Sequence, residues 1–189
     1  MRCSFASLLC LGLAFLAGSA WAADRVPLAE LARPGRVLML RHASAPGNGD
    51  PPHFRLEDCA TQRNLDHVGR AQATALGQRL AQAGVWRARV YSSQWCRCLE
   101  TARLLKLGVV APLPALNSFY PSPQSREARV AELRAFLAGL PPEGPPVVLV
   151  THQFTINEFT GAGTVSGGGS VFELNGTETP RPLGAIAPN

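Results

Sequence analysis

Two unbroken apolar runs, Val37-Leu38-Met39-Leu40 and Val147-Val148-Leu149-Val150, are each followed within two residues by a histidine, His42 and His152. Runs of this length without polar alternation suit strands buried on both faces, as in a parallel sheet. Open α/β sheets place their ligands outside the carboxyl ends of such strands. The pattern therefore predicts two parallel strands that deliver imidazoles to one sheet edge, an arrangement suited to catalysis.

The first strand is predicted over residues 36–41, after a short helical lead-in over 27–32 that Pro34-Gly35 stops. Residues 43–64 are rich in Pro, Gly, Asn and Asp and lack periodicity, which predicts a long loop starting at His42. Loops of this length in compact domains are usually functional. Asp66 stands where a helix N-cap is wanted, and Val68, Ala71, Ala75, Leu76 and Leu80 recur at helical spacing up to Gly84. Residues 89–92 predict a second strand, with Ser92 or Ser93 capping a helix that reaches about Leu105. Residues 112–123 are irregular, and an Arg- and Ala-rich amphipathic helix is predicted over 125–140. After the strand ending at Thr151, a short helix gives way at Gly161. Gly167-Gly168-Gly169 then precede a final strand over 170–174, with the chain frayed beyond about Pro180. The order predicts an α/β fold: three layers, α/β/α, around a mostly parallel central sheet.

Residues 1–22 read as an export signal, with basic Arg2, an apolar stretch over 5–17 and the small-x-small site Ala20-Trp21-Ala22. That stretch is too short for a membrane span of roughly 20 residues. The expectation is a periplasmic or secreted protein whose residues 23–189 form one domain. The formal net charge is +5 and Lys106 is the sole lysine. Arginine binds oxyanions in bidentate fashion, which suits a phosphate or carboxylate ligand. No basic run or aromatic-interleaved patch points to nucleic acid. Of five cysteines, Cys3 and Cys10 lie in the signal. Cys96 and Cys98 are too close in sequence to bridge each other well, so in an oxidising compartment Cys59 pairs with one of them. Cys-Arg-Cys is neither a redox pair nor a zinc half-site, and no second ligand stands at metal spacing from His53 or His67, so no metal and no cofactor are expected.

Arg41 beside His42 disfavours a divalent cation and favours an anionic substrate. Arg97 falls in the first turn of a predicted helix, where the backbone already attracts anions. A cation there either meets a bound anion or pairs with a nearby acid.

Together these residues resemble the histidine phosphatase superfamily, the phosphoglycerate-mutase-like proteins. Arg41-His42-Ala43 with Asn48 is similar to the family's Arg-His-Gly signature and following Asn. Leu65, Gly69, Gln72, Ala73 and Gly77 look like its first-helix pattern, Ser92-Ser93 with Arg97 and Thr101-Ala102 like its second block, and Thr151-His152 like its second histidine. The resemblance implies phosphoryl transfer through a phosphohistidine on His42, with Arg41, Arg97 and His152 holding the phosphoryl oxygens and Asn48 close by. Such chemistry asks the protein for an aligned nucleophile and concentrated positive charge.

Two departures matter. Where many members carry a carboxylate general acid, this chain has Ser118, which leaves Asp50, Glu57 and Asp58 of the long loop as candidates. The insertion over 53–64, with Cys59, looks like the small exported branch that includes lipopolysaccharide-core heptose phosphatases. The resemblance thus implies an exported phosphatase acting on a small phosphorylated metabolite, a sugar phosphate or an envelope glycolipid. The alternative is a weakly active or inactive phosphate-binding or regulatory protein on the same fold. A two-histidine phosphodiesterase is disfavoured because His152-Gln153-Phe154-Thr155 is one residue too long for its second motif. Mutase activity is disfavoured by the missing acid.

Overall fold

In a computed structural model, residues 24–188 are described here, so the predicted export signal lies outside the described residues. The strands β1 (Arg36–Arg41), β2 (Arg89–Ser92), β3 (Val110–Pro112), β4 (Val147–Thr151), β5 (Gly169–Glu173) and β6 (Arg181–Ile186) form one sheet in the order β3-β2-β4-β1-β5-β6. The first four strands in that order are parallel, and β5 runs antiparallel to both of its neighbours, β1 and β6. Among the described residues, four α-helices accompany them: α1 (His67–Gln82), α2 (Cys96–Leu104), α3 (Arg126–Ala138) and α4 (Gln153–Thr160).

The apolar runs are continuous because the central strands are covered on both faces. Leu38, Leu40, Val148, Val150 and Val171 point to one side and pack with Leu76, Leu80, Ala102 and Leu105 of the α1–α2 layer. Their neighbours Val37, Met39, Val147, Leu149 and Phe172 point to the other side, against Leu133, Leu137 and Ile156 of α3 and α4. This is the period of two expected of a strand, with both phases buried. Each fully buried Leu or Ile here contributes roughly 1.5–3 kcal/mol.

Helix α1 begins as predicted, with the Asp66 carboxylate accepting from the Gly69 amide. Its packed face, however, is Gly69, Ala73, Leu76, Gly77 and Leu80, while Val68 is exposed. A Cβ on Gly69 would lie 2.0 Å from the Ser44 carbonyl oxygen, and one on Gly77 2.4 Å from that of Leu105. The helix thus lies backbone to backbone on its neighbours, a contact that a hydrophobic count misses because glycine contributes no apolar side chain.

Three further expectations are corrected. The chain beyond Pro180 is strand β6, paired to β5 through a bulge at Val171/Phe172. Its sequence, Arg181-Pro182-Leu183-Gly184-Ala185-Ile186, holds two residues depleted in strands, and it is tolerated near the sheet edge. Asp24 and Val26 hydrogen-bond Ala185 from the outer side. Second, β3 forms where no strand was expected, ending at Pro112, the first residue of the stretch read as irregular. Third, neither Ser92 nor Ser93 caps α2: Trp95 stands at the N-cap, and the Gln62 side chain of the long loop accepts from the Cys96 amide (3.0 Å).

Candidate active site

The register of β1 on β4 sets Arg41 opposite Thr151, so the next residues, His42 and His152, emerge side by side. The His42 amide donates to the Thr151 carbonyl (3.0 Å), and the two imidazole centroids are 5.5 Å apart. Ser93 leaves the end of β2 in the same way, its amide donating to Val150 (2.9 Å). Three parallel strands thus deliver three polar side chains to one edge. Beyond them opens a cleft of about 300 Å³, lined in part by Arg41, His42, Asn48, Arg63, Ser118 and His152.

His42 is buried, and its Nδ1 lies 2.8 Å from the Ala43 carbonyl. A carbonyl can only accept, so Nδ1 carries the proton and Nε2 keeps its lone pair. Burial, with the nearby Arg97 charge second, pulls the His42 pKa down to about 3, against the pull of the Ala43 hydrogen bond. The ring is therefore neutral and nucleophilic across the physiological range. His152 is also buried and pushed well below the usual histidine value, by desolvation first and by His42 second. Its Nε2 lies 2.9 Å from Ser93 Oγ, which donates in turn to Asn117 Oδ1 (3.2 Å). That order leaves the Ser93 oxygen to accept from His152 Nε2–H.

Arg41 is held by the Gln153 side chain (2.8 Å) and the Thr164 carbonyl (2.7 Å). Arg63, which sequence reasoning did not single out, enters the same cleft from the long loop. Its Nε donates to the Gly49 carbonyl (2.7 Å) and its Nη1 to that of Ala45. Arg97 lies behind the cleft wall, buried, in a two-pronged ion pair with Asp50: Nη1 to Oδ1 at 2.8 Å and Nη2 to Oδ2 at 3.2 Å. Asp50 also accepts from the Arg63 amide (3.0 Å) and the Trp95 indole (2.9 Å). Burial alone would raise its pKa, but the Arg97 guanidinium and these donors hold it below the ordinary carboxylate value.

Asp50 accordingly has no proton to give, and the general-acid candidates are corrected. Glu57 is exposed and near Arg55, and Asp58 caps the turn Cys59–Thr61 while pairing with Arg55. Neither lines the cleft, and among the described residues its wall holds no carboxylate. Asn48 and Ser118 do reach it. Among the described residues no group of three His, Cys, Asp or Glu could hold a metal.

The long loop is fastened at several points. The Ala43 amide donates to Thr101 Oγ1 (3.1 Å) and the Ser44 amide to Gln72 Oε1 (2.9 Å). The cysteine alternatives resolve to Cys59–Cys96, with Cys98 free and buried 3.6 Å from His152 Nε2. Three guanidinium groups and one carboxylate around two neutral imidazoles leave a site that attracts a multivalent oxyanion.

The family model of the histidine phosphatase superfamily, branch 1, matches residues 37–119, the stretch that holds His42, Arg63 and Arg97. No curated protein matches the chain significantly in sequence. Among solved structures, the protein histidine phosphatase SixA complexed with tungstate is 18% identical, 80% of this chain covering 96% of that one at a TM-score of 0.59. A mycobacterial glucosyl-3-phosphoglycerate phosphatase is 19% identical, with 79% and 96% covered and a TM-score of 0.56. A structure described as mycobacterial hydrolase 1 is 20% identical, with the same shares covered and a TM-score of 0.58. At these identities the likeness is one of fold, and the shared fold is the six-stranded mixed sheet described above.

Proposed function

We propose that this chain, whose residues 37–119 match the family model of the histidine phosphatase superfamily, is a phosphatase of that superfamily that works through a covalent phosphohistidine on His42. One observation carries the reading: Nδ1 of a buried, neutral His42 is tied to the Ala43 carbonyl, so the free lone pair belongs to Nε2 beside a cluster of guanidinium groups.

The substrate phosphate enters as a dianion. Arg41 and Arg63 hold its oxygens, with Asn48 at the mouth; the dianion's charge draws a proton onto His152 Nδ1, which then donates to a further oxygen, and Arg97 supports the charge from behind. Nε2 attacks phosphorus in line; the P–N bond forms as the bond to the leaving oxygen breaks, and that oxygen departs with the bonding pair. Water then attacks the phosphohistidine, releases phosphate and returns the lone pair to Nε2. The guanidinium groups supply the positive charge that this transfer needs.

The substrate is a phosphorylated metabolite, sugar phosphate or envelope glycolipid, handled in the periplasm or outside the cell. The signal-like residues 1–22 support that location, as does a disulfide, which persists in oxidising compartments. The insertion with Cys59 supports kinship with the exported heptose phosphatases. Among the named neighbours, one acts on protein histidine and another on glucosyl-3-phosphoglycerate, so ester and phosphoramidate substrates are both in range of the fold. With no carboxylate on the cleft wall, substrates with good leaving groups are favoured over alkyl esters. The second reading, a phosphate-binding regulatory protein, is favoured by the Asp50–Arg97 pair, which occupies one cation of the site.

The deciding experiment is hydrolysis of p-nitrophenyl phosphate by the purified protein, with and without chelator, beside His42→Ala. Chelator-resistant turnover, a trapped acid-labile phosphoenzyme and loss of both in the variant are the expected results. Folded protein that binds phosphate without turnover would establish the second reading instead.

A further inference from the structure

The outer end of the cleft is aromatic. Tyr120 and Phe154 both line it, 58% and 43% exposed, with ring centroids 5.6 Å apart and planes 2° from parallel. Their positions are fixed from different elements. Phe154 sits in the first turn of α4, two residues after His152, and Tyr120 follows Ser118 after the turn Pro114–Leu116. The backbone amide of Tyr120 donates to Ser118 Oγ (3.2 Å), and its ring lies beside Gly49, where a Cβ would be 3.7 Å from Cε1. Two large aromatic rings left half in water at the mouth of an otherwise polar site are unusual outside recognition surfaces.

We propose that Tyr120 and Phe154 form a stacking platform for an aromatic ring that bears the substrate's phosphate, which makes aryl phosphates the preferred substrate class. Two independent observations converge on it. The platform offers flat apolar area next to the oxyanion site, and stacking is the contact it can make. The cleft wall holds no carboxylate to protonate a leaving oxygen, and an aryl oxygen departs with the P–O bonding pair and takes its proton from water, which an alkyl oxygen does far less readily. This inference deepens the phosphatase reading and rests on it for turnover, but the platform itself is testable by binding alone.

The test is calorimetric titration of phenylphosphonate and methylphosphonate, neither of which can be hydrolysed at phosphorus–carbon, into wild type, Phe154→Ala, Phe154→Leu and Tyr120→Ala. Phenylphosphonate is expected to bind wild type about tenfold more tightly than methylphosphonate. That ratio is expected to fall to about twofold in the Ala variants and in Phe154→Leu, which keeps apolar bulk without a ring, while methylphosphonate affinity stays unchanged. Equal affinities in wild type, or a ratio that survives all three substitutions, overturns the proposal. So does a gain of glucose 1-phosphate over inorganic phosphate that the substitutions abolish in place of the phenyl gain, since the platform would then take a sugar. Phenyl preference with no turnover of p-nitrophenyl phosphate would reject the phosphatase reading and leave the platform standing.

Discussion

Asp50 and Arg97, 47 residues apart, form a buried two-pronged ion pair whose side chains are 6% and 4% exposed. The loop that follows His42 thus places its own carboxylate on a cation of the proposed phosphate site. The pair locks the loop to the start of α2 and keeps Arg97 from acting as an uncompensated buried charge. It also removes Asp50 from acid catalysis.

Removing one partner of such a pair strands the other. Asp50→Ala is expected to lower stability by about 3 kcal/mol, measured by denaturant unfolding in phosphate-free buffer. Adding phosphate should then raise the midpoint of the variant more than that of wild type, because the anion replaces the lost carboxylate. An identical phosphate shift in both proteins would show that Arg97 does not reach the ligand.

Arg63 enters the cleft through a loop position that no spacing argument selects. Arg63→Ala is expected to weaken competitive inhibition by inorganic phosphate about tenfold or more, whereas Arg63→Lys, which keeps the charge without the fork, should recover part of it. Inhibition constants that match wild type in both variants would place Arg63 in a structural role, holding the Gly49 and Ala45 carbonyls.

Acid should destabilise the fold before it protonates His42 in the folded protein. His42 has a folded pKa of about 3 against 6.5 in the unfolded chain, and His152 is shifted in the same direction. The unfolded state therefore binds more protons below pH 6.5. The stability associated with these groups is complete above that pH and is lost as pH falls toward about 3. Unfolding free energy measured from pH 7.5 to 4.5 should fall with acid, and His42→Gln should flatten the slope by close to one proton. Over the same range, loss of kcat/KM should follow protonation of the substrate phosphate, near pH 6, rather than a histidine titration.

The disulfide closes a segment of 37 residues between the cleft loop and α2. Cys59→Ser is expected to cost about 2–4 kcal/mol and to reduce activity, since Asp50, Gln62 and Arg63 all lie on the tethered loop. A reductant should reproduce the effect in wild type and leave the variant unchanged; activity insensitive to both would confine the bridge to stability.

Gly69 meets the Ser44 carbonyl where a methyl group has no room. Gly69→Ala should push α1 off the loop behind His42, with a loss of about 1–3 kcal/mol, whereas Ala71→Gly on the exposed side should cost about 1 kcal/mol by helix propensity alone. Thermal unfolding of the two variants compares them directly.

What the sequence determined by itself was everything carried by local pattern. The apolar runs at 37–40 and 147–150 specified strands buried on both faces, and their following histidines had to emerge at one edge once those strands paired in parallel. Asp66 announced α1 because an N-cap needs only its own next turn, and cysteine spacing narrowed the bridge to two choices. What the tertiary structure decided was everything set by the company a residue keeps across the fold. The hydrophobic period found Leu76 and Leu80 on the packed face of α1 but missed Gly69 and Gly77, glycines pressed on distant carbonyls. It missed β6, whose Pro182 and Gly184 are poor strand formers that sheet pairing overrides. The partner of Cys59, the arrival of Arg63 in the cleft and the pairing of Asp50 with Arg97 all depend on how one aperiodic loop folds back on α2. No short-range regularity in residues 43–64 encodes that path; long-range ion pairs, amide contacts and the disulfide do.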